Sequence, residues 1–324
     1  MHKILLKISC NKAIETTFEV PTIVINNINN IKKNIHLKNQ ILKRTLQHDF
    51  ITTSFSNLCR NYNIPKKIYN INVNNNKCQQ SDKIVQLTPH TFPKGKEFGI
   101  FIHNILKNIN FHKDVSLTWI SKQLLKNNFD LTWSTELRTW IQRILNTPLN
   151  DSTLILSQLS KNNYIKELEF FFPIKKQITD TQLYEVLKIY HKSLNSTSKI
   201  HFNPIQGMFT GSIDLIFKWN HKYYLLDYKS NWLGYFNCDY APEKIKKVII
   251  KHHYDLQCQL YSIALHRYLQ QRIKDYSFTK YFGGIYIMFV RAIDNSNLNK
   301  GVLFTLPNLE IINNVNNLFF NKIV

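Results

Sequence analysis

The apolar and polar positions alternate most tightly around two arms, Gly211-Ser212-Ile213-Asp214-Leu215-Ile216-Phe217 and Tyr223-Tyr224-Leu225-Leu226-Asp227-Tyr228-Lys229. Ile, Leu, Phe and Tyr dominate both, which is strand composition, and Trp219-Asn220-His221-Lys222 is short enough to turn one arm back on the other. Upstream, Phe98, Phe101, Ile102, Ile105, Leu106 and Ile109 recur at helical spacing and predict a helix over 96–109, with His103 at the edge of its apolar face. Further helices are predicted over 117–126 and 135–145, the second stopped by Pro148. Glu167–Phe172 reads as a strand closed by Pro173, and 181–192 as a helix. Pro242 suits the first turn of one long helix, about 30 residues, running to Arg272. Gly283-Gly284 opens a strand over 285–290, and a last helix falls near 309–320. About four strands, with helices before, between and after them, predict an α/β fold with a mixed sheet.

Residues 1–85 break this pattern. Asn26–Lys33 and Asn70–Gln80 are biased towards Asn and Lys, with a single possible helix near 38–47. They read as an extension with little structure, or the remnant of a preceding domain, ahead of a domain over 86–324. Across all 324 residues, 42 Lys and Arg face 21 Asp and Glu, a formal charge of +21 that favours a polyanionic partner. The wealth of Lys, Asn, Ile, Phe and Tyr also fits AT-rich codons, so part of that charge reflects base composition. The five cysteines form no Cys-x-x-Cys pair, which argues against a zinc ribbon, an iron–sulfur cluster or a disulfide framework and for a reducing, cytoplasmic setting. No apolar run approaches the roughly 18 residues of a membrane span, so a soluble chain is expected. Gly95-Lys96 is followed by Glu97, so the phosphate-cradling loop of an ATP-driven motor is missing, as are the dinucleotide-binding glycines and a nucleophile elbow.

The chemistry concentrates in the hairpin. Asp227 and Lys229 share a strand face about 7 Å apart, and Asp214 of the other arm can reach the same face. Two carboxylates close together repel until a hard cation such as Mg²⁺ binds them. A lysine beside them can orient water or neutralise a transition state. A salt-bridged sheet edge is the plain alternative. His103 offers an imidazole, and Glu169, a carboxylate in an apolar strand, is a candidate accessory ligand. Gln257 and Tyr261 lie one helical turn apart and can meet a phosphate or the Asp-x-Lys strand. His252, His253, His266 and Arg267 add basic character to the same predicted helix.

Longer motifs carry a resemblance. Leu225–Gly234 (LLDYKSNWLG), Tyr254–Leu269 (YDLQCQLYSIALHRYL), Gly207–Asp214, Phe282-Gly283-Gly284 and Thr88–Gly95 closely resemble the nuclease domain of the RecB family, beta chains of bacterial exodeoxyribonuclease V, within the PD-(D/E)XK superfamily. The likeness covers about 86–294. It implies a restriction-endonuclease-like fold, a central mixed β-sheet flanked by helices. It implies Mg²⁺ held by His103, Asp214, Asp227 and the backbone carbonyl of Tyr228, with Lys229 catalytic, Glu169 near the site, and Gln257 and Tyr261 as the Gln-x-x-x-Tyr pair. The implied reaction is hydrolysis of DNA phosphodiesters, exonuclease or endonuclease, in recombination and repair, with DNA and helicase subunits as partners. Two departures stand out. Lys107 occupies a position, four after His103, that is often Glu in the family, and no helicase motif is present, as expected for the nuclease end of a split gene. A silent DNA-binding scaffold that keeps the fold is the alternative expectation.

Overall fold

The computed structural model describes residues 50–60, 86–149, 153–188, 201–293 and 301–320. Among these residues, six strands form one mixed sheet: β1 (Phe50–Ser54), β2 (Tyr164–Ile178), β3 (Ile205–Trp219), β4 (Lys222–Lys229), β5 (Phe282–Phe289) and β6 (Val302–Thr305). The hairpin expected from the sequence is β3–β4. Its two connecting residues, Asn220 and His221, both take positive φ, 45° and 64°, the paired left-handed conformation that lets two twisted strands reverse in two residues.

β3 organises the sheet. β2 runs antiparallel along one edge, from Tyr164 opposite Phe217 to Ile174 opposite Gly207. Two strands share the other edge. β4 pairs antiparallel with Leu215–Trp219, and β1 pairs parallel with Gln206–Thr210. Between these ladders the residues Gly211–Asp214 carry no strand on that edge among the described residues, so the sheet forks there. β5 lies parallel to β4 and is buried at every position, as a central strand covered on both faces must be, and β6 closes the far edge. The α/β class with a mixed, helix-flanked sheet is therefore the observed one. The two strands beyond the expected four are short β6 and β1, which the sheet draws from the stretch read as an extension. The helix expected near 38–47 lies outside the described residues.

The helices are α1 (Phe55–Arg60), α2 (Lys96–Asn108), α3 (Leu117–Lys126), α4 (Ser134–Asn146), α5 (Asp180–Lys188), α6 (Pro242–Lys251), α7 (Tyr254–Arg272), α8 (Phe278–Tyr281) and α9 (Leu309–Phe320). α2, α3 and α4 pack their apolar faces on one side of the sheet against Leu215, Phe217, Leu226 and Met288. α1, α5, α6, α7 and α9 cover the other side, over Ile216, Leu225, Ile285 and Ile287. The single long helix expected after Pro242 is two helices. His253, at φ 53°, is left-handed and cannot continue a right-handed helix, so α6 ends at Lys251 and α7 starts afresh at Tyr254. The apolar spacing runs through this break without a sign of it. No helix among the described residues is long and apolar enough to cross a membrane.

Two cations, Arg291 buried and Lys166 half-buried, brace the loops around the fork. Arg291 is fully buried at the end of β5. It donates from Nη1 to the carbonyls of Pro89 (2.6 Å) and Phe92 (3.0 Å), from Nη2 to Pro93 (2.7 Å) and from Nε to Ser230 (3.3 Å), with Phe98 beneath it. Burial pulls its pKa down to about 10. Lys166 of β2 donates Nζ to the carbonyls of Leu106 (2.8 Å), Lys107 (3.3 Å) and Ile109 (2.5 Å) at the C-terminal end of α2, where a cation suits the helix dipole. Burial lowers its pKa to about 8.

Candidate active site

The fork in the sheet is where the charged residues of the hairpin meet. The β3–β4 ladder stops at Leu215 opposite Leu226, and one step further brings Asp214 beside Asp227. The Tyr228 amide donates to Asp214 Oδ2 at 2.8 Å, which fixes that carboxylate against β4. On the other edge, Lys166 opposite Leu215 and Leu168 opposite Ile213 set Glu167 across from Asp214. Glu167 takes φ 50°, rare for a residue inside a strand and a mark of stored strain. Side-chain alternation reverses at this point. On β3, Phe209 and Ile213 belong to the core under α7, but so does Ile216, while Leu215 and Phe217 belong to the core under α2. On β2, Leu168 and Tyr164 likewise fall on opposite sides. The reversal turns Glu167 and Asp214 into the fork, and the Ser212 hydroxyl steadies Glu167 with a 2.8 Å hydrogen bond.

Helices from both faces complete the site. α2 brings His103, whose Nδ1 lies 3.3 Å from Asp214 Oδ1. Ligand atoms of His103, Glu167 and Asp214 all lie within 4.8 Å of one another, so two hard carboxylates and an imidazole converge in a set that suits a divalent cation. α7 brings Gln257, which accepts from Lys229 Nζ at 2.6 Å and donates to Asp227 Oδ1 at 3.3 Å. Lys229 Nζ also lies 2.5 Å from Asp227 Oδ2 and 3.9 Å above the Tyr254 ring. His103, Asp214, Asp227, Lys229, Tyr254 and Gln257 line an open cleft of about 460 Å³, together with Ser56, Gly95 and Trp232.

Burial and charge compete here. Burial pushes the Asp227 carboxyl up, against the pull of the Lys229 ammonium. Burial works to lower Lys229, but the charge and hydrogen bond of Asp227, together with Tyr254 and Asp214, raise its pKa overall, so the amine stays protonated. His103 behaves alike. Burial disfavours its cation, while the hydrogen bond and charge of Asp214 raise its pKa overall.

The structure thus gathers Asp214, Asp227, Lys229, His103 and Gln257 as a contacting set, with Tyr261 on the cleft wall one turn beyond Gln257. Tyr228 presents its backbone to Asp214 and buries its ring in the core. Glu169, expected near the site, is exposed opposite Ser212, and the carboxylate in the cluster is Glu167. The strand Glu-Leu-Glu offered both, and plain alternation gave no reason to prefer the first. Lys107 is exposed on α2 and gives its carbonyl to Lys166. His252 and His253 sit at the break before α7, and His266 is buried against Tyr276, away from the cluster.

No family model matches the chain. Individual proteins do. The RecBCD enzyme subunit RecB of Buchnera aphidicola subsp. Baizongia pistaciae is 42% identical over 321 residues, covering 95% of this chain and 27% of that protein. The chain is homologous to one stretch of RecB. The RecB subunit of Escherichia coli is 38% identical over 226 residues, 70% of this chain and 19% of its own length. That of Borreliella burgdorferi is 30% identical over 234 residues, 67% of this chain and 19% of its own length. The chain therefore spans about a quarter of the length of the RecB relatives it matches, or less. The resemblance seen in the motifs thus extends over 67–95% of this chain in these comparisons.

Proposed function

We propose that this RecB homologue is a divalent-metal-dependent deoxyribonuclease of the PD-(D/E)XK type, acting in DNA recombination and repair beside helicase subunits of a RecBCD-like assembly. One observation carries the reading: the fork joins a His103–Glu167–Asp214 ligand cluster to a buried Lys229 held by Asp227 and Gln257. Asp214, Glu167 and His103 would hold Mg²⁺, with Asp227 and the Tyr228 carbonyl completing the set from β4. A divalent ion held there would supply Lewis acidity and make a nearby water more acidic. Lys229 keeps its proton at Nζ and offers N–H groups to the charge that builds on the phosphoryl oxygens. Gln257 aims that amine by accepting its hydrogen bond at 2.6 Å. The net +21 supports the polyanionic substrate. We further propose a nuclease domain running from β1 to α9, so that it starts before residue 86.

The test is cleavage of linear single- and double-stranded DNA with Mg²⁺ and no ATP, comparing wild type with Asp227→Ala. The expected result is activity in wild type and a loss of more than about hundredfold in the variant. Equal cleavage by both would sink the site assignment. DNA binding without cleavage by either would favour the silent scaffold.

A further inference from the structure

Beside the cleft, the loop between β4 and α6 displays a group of aromatic rings that the proposed chemistry does not use. Trp232 lines the cleft with Lys229. Tyr235 meets it edge to face, with ring centroids 4.9 Å apart, and Tyr235 and Phe236 stand 56% and 51% exposed. The Lys94 ammonium sits 4.0 Å over the Trp232 ring, and Lys94 and Lys96 are both exposed.

The loop that carries these rings is built, not frayed. Trp232 Nε1 donates to the His90 carbonyl at 3.0 Å, and the Leu233 amide donates to the Tyr240 hydroxyl at 3.2 Å. The Phe236 amide donates to Asp239 Oδ2 at 3.2 Å, and Asp239 Oδ1 takes Lys244 Nζ at 2.7 Å, so the loop's own carboxylate is neutralised. Other large apolar side chains are exposed elsewhere, Phe171 and Leu125 among them, but here Trp232 lines the cleft, Tyr235 packs against it and the Lys94 ammonium lies over its ring. Rings that are exposed, rigidly presented and flanked by cations match the flat π-faces and phosphates of an unpaired nucleic-acid strand.

We propose that Trp232, Tyr235 and Phe236 form a stacking platform for unpaired bases of the strand entering the cleft, with Lys94 and Lys96 on the adjoining phosphates. The platform rests on the nuclease reading and extends it. It makes an unpaired end, not a stacked duplex, the form of DNA that this face receives, because bases inside a duplex have no free π-face to give.

The experiment measures binding by fluorescence anisotropy, using the full chain with Ca²⁺ in place of Mg²⁺ so that nothing is cut. The probes are an oligothymidylate of about twelve nucleotides, an abasic strand with the same number of phosphates, and a hairpin duplex. Wild type should bind the oligothymidylate roughly five- to 150-fold more tightly than the abasic strand, the span expected for one stacked base. The Tyr235→Ser/Phe236→Ser variant, altered only at exposed positions, should lose most of that preference and bind the abasic strand as before. Tyr235→Trp should retain it. An unchanged preference in the double variant, or no preference in wild type, overturns the platform. Because no cleavage enters the measurement, a preference for bases in a protein that never cuts DNA would leave the platform standing and remove the nuclease reading. Cleavage without a preference would do the reverse.

Discussion

Replacing Arg291 by Met removes a charge that four backbone carbonyls share. Met matches the length of the apolar stem, so the change leaves little cavity and acts mainly through the lost guanidinium. Three of the acceptors, Pro89, Phe92 and Pro93, lie in the segment that leads into α2, and the fourth, Ser230, follows Lys229. A buried acceptor left without a donor costs about 1–3 kcal/mol. The four would total about 8 kcal/mol if all stayed dry. Two effects reduce that. Burying the guanidinium is itself unfavourable, as its lowered pKa shows, and water can reach Pro93, which is exposed. A net loss of about 3 kcal/mol is expected, a fall in Tm of roughly 6–12 °C for a domain of this size. Urea unfolding with unchanged m-value would report it. Arg291→Lys should recover less than half, because one ammonium cannot span acceptors on both segments. A loss under about 1 kcal/mol in Arg291→Met would refute the claim that this cation holds the two segments together.

Three further outcomes are expected. Lys166→Met should cost about 2 kcal/mol in urea unfolding, since the three carbonyls ending α2 lose a charged donor, and Lys166→Arg should restore part of it. Gly207→Ala should destabilise by at least about 2 kcal/mol and speed hydrogen exchange at Gln206–Thr210, because φ is 135° there and a Cβ would stand 2.1 Å from the Ile51 carbonyl oxygen. Burial and the Arg267 charge hold His266 neutral with a pKa of about 4, against an unfolded value near 6.5. Stability from this group is full above pH 6.5 and drains as pH falls towards 4. Thermal melts should show about 1 kcal/mol lost between pH 7 and 5, after allowance for solvent screening, and less in His266→Gln.

The hairpin and α2 were legible because local rules governed them: two strands of apolar residues around a short polar turn, and one apolar stripe that carries His103 at its edge. Gln257 and Tyr261 were legible through spacing, since a helix places residues four apart on one face. What escaped reading depended on single backbone angles. The left-handed His253 splits a helix whose apolar period never falters. The left-handed Glu167 reverses the alternation that would otherwise place Glu169 as readily as Glu167 near Asp214. Arg291 and Lys166 escaped for another reason. Their partners are carbonyls distant in the chain, and a carbonyl has no sequence signature. β1 escaped because its neighbours in the chain are rich in Asn and Lys, while its pairing is with β3, about 150 positions away.

β1 also bears on how the chain can be cut. Composition invites a truncation at about residue 85, and such a fragment would keep all the cleft residues except Phe55 and Ser56. It would also strip the partner from Gln206–Thr210 and leave a row of backbone donors and acceptors open along β3. A bare strand edge of that kind pairs readily with its counterpart in another molecule. The shortened protein should therefore self-associate as its concentration rises, and a fragment that starts ahead of Phe50 should stay monodisperse under the same conditions.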